Sequence, residues 1–142
     1  MNGLKLAREI LLGKDASLVV VKDGFVAYIG YGHGLRELMN LALEGGEILE
    51  NAAVADRVVG GAAATIMIKH GVNAVYGHLI SRQALSLLKE IEVEYGEIID
   101  FVRGRDGGVC PFEKIVLDSE DIDTAYKRLM NKLYSSDGYG QS

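Results

Sequence analysis

Hydrophobic and polar positions follow two different periods along this chain, and the changes of period mark its elements. Leu4, Leu6, Ala7, Ile10 and Leu11 recur at helical spacing and predict an amphipathic helix that ends near Gly13. The valine-rich run Ser17–Val21 predicts a strand buried on both faces. Lys22-Asp23-Gly24 follows it, and Phe25–Ile29 is a second β-rich run. An Asp-Gly pair between two such runs predicts a hairpin, because glycine takes the positive φ that these turns require.

Beyond the hairpin, helices and strands alternate. Leu35, Leu38, Met39 and Ala42 predict a helix that stops before Gly45-Gly46. Ala52–Ala55 reads as a short strand and Val58–His70 as an alanine-rich helix closed by Gly71. Val72–Ile80 is apolar on both faces, so a central strand is expected there, followed by a helix over Ser81–Lys89. Ile91, Val93 and Tyr95 alternate with Glu92 and Glu94, the pattern of a half-exposed edge strand. Ile122, Ala125, Tyr126, Leu129 and Leu133 form the stripe of a C-terminal helix.

Strands separated by helices imply parallel neighbours joined by right-handed crossovers. The predicted order is α-β-β-α-β-α-β-α-β-α. It reads as an α/β fold, a three-layer α-β-α sandwich around a mixed five-stranded sheet. Residues 1–134 are expected to form a single domain, with 135–142 a polar, glycine-containing flexible tail.

Composition narrows the function classes. The 142 residues carry a net charge of −5, which argues against binding a nucleic acid polymer, since that needs clustered Lys and Arg. A single cysteine permits no internal disulfide, so nothing points to an oxidising compartment. Lys5, Arg8 and Glu9 interrupt the first apolar segment, which is therefore neither a signal sequence nor a membrane span. A cytoplasmic protein without membrane partners is expected.

The order of elements, with a hairpin before β-α-β-α-β, resembles the cytidine-deaminase-like fold. More closely, the chain resembles a small prokaryotic family of unknown function that shares this fold without the zinc motif. The resemblance rests on Val20-Val21-Lys22-Asp23-Gly24, on Ala55-Asp56-Arg57-Val58-Val59-Gly60 with Ala62-Ala63-Ala64, on Ile80-Ser81 with Ala84-Leu85, and on Cys110-Pro111-Phe112-Glu113. It covers roughly residues 4–130. In a zinc-dependent nucleoside deaminase, the second and last of these segments would carry the metal ligands, a His or Cys with a nearby Glu and then a P-C-x-x-C pair. Here Glu113 stands where the second cysteine would be, and Arg57 and Val58 follow Asp56 where the general-acid Glu is needed. Asp56, Cys110, Glu113 and water would mix hard and soft donors without histidine. No metal and no cofactor are therefore expected.

Ligands in open α/β sheets bind beyond the carboxyl ends of the parallel strands. Asp56, Ser81 and Cys110 fall there on this reading, and each also fits a helix N-cap or near-cap. Pro111 suits the first helical position, which puts Cys110 at the N-cap and Glu113 in the first turn. A thiol at a helix N-terminus gains thiolate character, so Cys110 is the candidate catalytic group; a packed cysteine is the plainer alternative. The loop Arg103-Gly104-Arg105-Asp106-Gly107-Gly108 offers two arginines for an anion and glycines for close backbone approach. Gly30-Tyr31-Gly32-His33-Gly34 does not complete a dinucleotide-binding fingerprint, because Leu35 stands where its last glycine belongs. His33, His70 and His78 have no ligand spacing, and only His78 is expected near the cleft.

The resulting expectation is a metal-free, deaminase-fold protein that binds a small anionic or nucleotide-like molecule. Asp56, Ser81, Arg103, Arg105, Gly107, Gly108 and Glu113 would bind it, and Cys110 would supply any reactivity. The alternative is a noncatalytic homo-oligomeric or regulatory module that pairs with itself through apolar helices such as Ala62–Ile68.

Overall fold

A computed structural model of the chain describes residues 3–32 and 34–135. His33 and the greater part of the expected tail, 136–142, lie outside the described residues. Helix α1 (Gly3–Gly13) turns Leu4, Ala7 and Leu11 inward, the spacing that predicted it. Strands β1 (Leu18–Lys22) and β2 (Phe25–Gly30) form the expected hairpin. Asp23 and Gly24 take φ of 52° and 81°, the paired positive values that a tight two-residue turn requires. The register slips between Val20 and Val21, leaving Ala27 as an extra residue on β2.

Helix α2 (Gly34–Glu44) leads to β3 (Ala53–Val59), α3 (Gly61–Lys69), β4 (Ala74–Ser81), α4 (Arg82–Leu87) and β5 (Glu92–Ile99). Two helices follow, α5 (Pro111–Leu117) and α6 (Ile122–Tyr134), which begin at the helix start read at Pro111 and at the stripe from Ile122, where the predicted order counted a single helix. The sheet order is β2-β1-β3-β4-β5. β1 is antiparallel to both β2 and β3, while β3, β4 and β5 run parallel. The fold is thus α/β with a mixed five-stranded open sheet.

Strand alternation divides the core in two. Val19, Val21, Ala53, Ala55, Ala74 and Tyr76 meet α1 on one face. Leu18, Val20, Val54 and Val75 point to the other face, where α2 to α6 assemble. Helix α3 is the centre of that second layer: Gly61 through Met67 are buried, and it packs against α2, α4, α5 and α6. The apolar helix expected to present a self-association surface is therefore consumed by the chain's own core.

The third strand corrects the sequence reading. Rather than stopping at Ala55, β3 runs on to Val59, because Val58 and Val59 pair with Leu79 and Ile80 of β4. Arg57 is tolerated within it because its guanidinium leaves the strand, donating to the carbonyls of Ala16 and Leu11 and pairing with Asp15. Asp56 is consequently an in-strand residue opposite Leu18 and Gly77, not a helix cap. The cap of α3 is Gly60, which has no side chain to serve. β5 likewise extends to Ile99, beyond the alternating residues Ile91–Tyr95 that marked it in the sequence.

Candidate functional site

A cleft of about 860 Å³ opens on the helical face of β3. Its walls come from the start of β1 (Ser17, Leu18), the first turn of α2 (Arg36, Glu37) and Asp56–Val58 of β3. The start of α3, the loop 102–106, Cys110–Glu113, and Lys132 and Leu133 of α6 complete it. Its size and mixed lining fall within the range of small-molecule sites. A second hollow of about 280 Å³, between Gly46–Glu50 and Lys69–Gly71, is bordered by His70 but by none of the candidate binding or catalytic residues.

Asp56 shares strand parity with Leu18 and Val54, and so turns toward this cleft rather than toward α1. The surrounding protein desolvates its carboxyl group and pushes its pKa up to about 7. Backbone N–H groups of Val58 and Arg57 oppose that rise, and the negative charge of Glu37 adds to it. Its neighbour Arg57 gives no relief, having been drawn to Asp15.

Glu37 was not foreseen. Its carboxylate accepts from Ser17 Oγ at 2.8 Å, Tyr28 Oη at 2.8 Å and the backbone N–H of Gly32 at 3.3 Å. Gly30 is required beside it, because a Cβ there would overlap the carboxylate. Burial, with the hydrogen bond to Glu37, raises the Tyr28 pKa to about 12, so Tyr28 remains a donor at physiological pH. An acidic residue in the first turn of α2 was the available signal, but its three partners lie 5 to 20 positions away.

Glu113 has a different role from the local cap its position suggested. It is buried, and its two oxygens accept the backbone N–H groups of Gly61 (2.6 Å) and Ala62 (3.0 Å), capping α3 from α5. This satisfies donors that Gly60 cannot serve, and a negative charge at a helix N-terminus is favourable. Burial nevertheless outweighs those two bonds and raises the carboxyl pKa. The close approach requires Gly60, where a Cβ would overlap the Glu113 carboxylate.

Besides Arg57, which is paired with Asp15, four cations border the cleft. Arg103 and Arg105 are exposed on the loop, Arg36 projects from α2 and Lys132 from α6. Arg103 donates to the carbonyl of Gly107 at 2.9 Å and stacks on Phe101, while Lys132 lies over the ring of Phe112. Arg36 donates to the Leu133 carbonyl at 2.6 Å and faces Tyr134, while its buried Nε finds no partner among the described residues. The ion pairs among the described residues are Arg8–Glu94, Arg57–Asp15, Lys69–Asp123 and Arg82–Asp100, so none of the four cleft cations is neutralised.

Cys110 is the N-cap of α5, with Pro111 following at the first helical position, and its partly exposed thiol makes no capping hydrogen bond. It lies on the cleft wall. Ser81 is buried outside the cleft, where its Oγ caps α4 by accepting from Ala84 N at 3.1 Å. Gly107 and Gly108 spend their N–H groups on the Gly104 carbonyl and the Asp106 carboxylate, folding the loop onto itself outside the lining. His78 turns to the α1 side, 3.2 Å from Tyr76 Oη, and His70 pairs with Tyr126 at 2.7 Å. Among the described residues, no three His, Cys, Asp or Glu side chains converge as a metal-binding group. The cleft thus brings together Asp56, Arg103, Arg105, Cys110 and Glu113, adds Glu37, Arg36 and Lys132, and leaves out Ser81, Gly107, Gly108 and His78.

Residues 6–133 match the model of the TM1506 family, a domain of unknown function (DUF1893), and the chain belongs to that family. It is similar to the crystal structure of a DUF1893 family protein (TM1506) from Thermotoga maritima. The two share 34% identity with a TM-score of 0.82, covering 92% of this chain and 90% of that one. No curated protein matches it.

Proposed function

We propose that this member of the DUF1893 family binds a small anionic or nucleotide-like molecule in the β3 cleft, without a metal or other cofactor. The observation that carries this reading is the set of four unneutralised cations, Arg36, Arg103, Arg105 and Lys132, gathered around one cavity of a chain whose net charge is −5. Leu18, Val58, Ala62, Ala63 and Phe112 supply apolar wall for the body of a ligand, and Cys110 stands where a bound electrophile would meet it. We assign the fold to the three-layer, cytidine-deaminase-like type. The support is a hairpin preceding β-α-β-α-β, with β4 and β5 parallel.

Isothermal titration with pyrophosphate tests the reading. Wild-type protein binds it with an affinity that falls as salt rises, and Arg105→Ala with Lys132→Ala weakens it at least tenfold. The thermal midpoint stays nearly unchanged, since both side chains are exposed. Absence of wild-type binding at millimolar pyrophosphate, or equal binding by the variant, overturns it.

Self-association remains as a second reading, moved from α3 to the β2 edge. Phe25–Gly30 carries no charge, and Phe25 is 77% exposed, whereas the opposite edge, β5, carries Glu92, Glu94 and Glu97. Uncharged edges favour strand pairing and charged ones oppose it. Light scattering should then show a dimer that Phe25→Lys converts to monomer; a monomeric wild type rejects this reading.

A further inference from the structure

The cleft is electrostatically incomplete in two respects. Four cations on its wall have no carboxylate partner. Asp56, on the same wall, has no cation partner, although it is partly buried and feels the charge of a second carboxylate, Glu37. Charges drawn out of water are ordinarily paired, because their desolvation is costly.

The two carboxylates are not equivalent. Glu37 has three protein donors, which fix its position and fill most of its acceptor capacity. Asp56 is opposed only by the nearby backbone N–H groups of Val58 and Arg57, the second of which already donates to the Ser17 carbonyl at 3.2 Å, whereas a carboxylate offers roughly four acceptor sites. Part of its acceptor capacity is therefore open toward the cleft, within the field of the Glu37 charge. Arg57, the cation nearest in sequence, is bound to Asp15, Ala16 and Leu11 instead.

We propose that the cleft selects a zwitterion: a ligand with a protonated amine or amidine-like N–H group that docks on Asp56 beside Glu37, and a phosphate or carboxylate that docks on the cationic rim. This rests on the anion-binding reading above and names the other end of the same ligand. The cationic part of such a molecule supplies the counter-charge that Asp56 lacks, and its anionic part the counter-charge that the four cations lack. A singly charged anion would leave Asp56 uncompensated.

A pH signature follows. Asp56 attracts a cation only when ionised, and its proton is held until about pH 7. Its surroundings contain other charged or titratable groups: Arg57 beside it on β3, Arg36 and Glu37 on α2, and Cys110 and Glu113 at the start of α5. Arg103, Arg105 and Asp106 of the preceding loop and Lys132 of α6 face the same space. These act on the anionic end of any ligand as well. The comparison must therefore isolate the amine.

The experiment titrates wild-type protein with a series of ω-aminoalkyl phosphates of four to eight carbons and with the alkyl phosphates of matching length. At these lengths the ammonium group is too far from the phosphate to shift its second ionisation much, and the amine stays protonated throughout, so the ratio of affinities reports the amine contact. At the best length the amine should raise affinity at least tenfold at pH 8. That gain should shrink at pH 5.5 and disappear in Asp56→Asn, which is first shown to be folded by its circular dichroism and thermal midpoint. Alkyl phosphate affinity should be unchanged or higher in that variant. Equal affinities for the two series overturn the zwitterion proposal and leave the anion site standing. So does a gain that is independent of pH in the wild type, which needs no variant. Failure of both series to bind rejects the anion site and this inference together.

Discussion

Replacing Glu113 tests how the cleft is assembled. Its carboxylate is the N-terminal cap of α3, and it ties α5, with Cys110 and the arginine loop before it, to the helix at the centre of the core. Glu113→Ala leaves the buried N–H groups of Gly61 and Ala62 without their acceptor. An orphaned buried donor costs about 1–3 kcal/mol. The lost interaction with the helix N-terminus adds about 0.3–1 kcal/mol. Against this, the raised pKa shows that burial of the charge already weakens the native state, and removal of the carboxylate recovers part of that. The expected net loss is about 3 kcal/mol. Glu113→Gln escapes the desolvation and keeps one acceptor, but presents an amide N–H to the second donor, so its loss is about 1 kcal/mol. Urea denaturation followed by circular dichroism reads both. With an m-value of about 1.5 kcal/mol/M, Glu113→Ala moves the midpoint down by about 2 M and Glu113→Gln by less than 1 M. An alanine variant within about 0.5 kcal/mol of wild type, or a glutamine variant as unstable as alanine, would refute the capping argument.

Three further outcomes follow from the same geometry. Gly60→Ala drives a methyl group into the Glu113 carboxylate, costing about 1–3 kcal/mol, and should cost at least about 1 kcal/mol less in the Glu113→Ala background; additive losses would contradict this. Folded Asp56 holds its proton to about pH 7, while the unfolded chain releases it near pH 4. Wild-type stability should therefore fall as pH rises through that window, and Asp56→Asn should match wild type at pH 4.5 yet exceed it by roughly 1–3 kcal/mol at pH 8. Parallel pH–stability curves for the two proteins would argue against a desolvated, unpaired Asp56. Iodoacetamide should label Cys110 in the native protein, and saturating pyrophosphate should slow the reaction; a thiol that reacts only after denaturation does not face the cleft.

The local code of this chain is strong wherever an element is decided by its own residues. The spacing of Leu4, Ala7 and Leu11, the Asp23-Gly24 turn, the doubly buried β1 and the Cys110-Pro111 helix start could all be read directly, because each depends on neighbours within a few positions. Gathering Asp56, Arg103, Arg105, Cys110 and Glu113 at one cleft was also accessible, since parallel strands direct their following loops to one end. Two decisions were not local. The length of β3 depended on pairing with β4 and on an escape route for Arg57 through carbonyls 41 and 46 positions away. The cap of α3 came from Glu113, 51 and 52 positions from the N–H groups it accepts, so Asp56 was released from capping and turned into the cleft. Glu37 became part of the site only when the hairpin and α2 brought Ser17, Tyr28 and Gly32 around its carboxylate. Periodicity specifies which face of an element is buried. Which carboxylate is satisfied and which remains open depends on donors that only tertiary packing brings within hydrogen-bond distance.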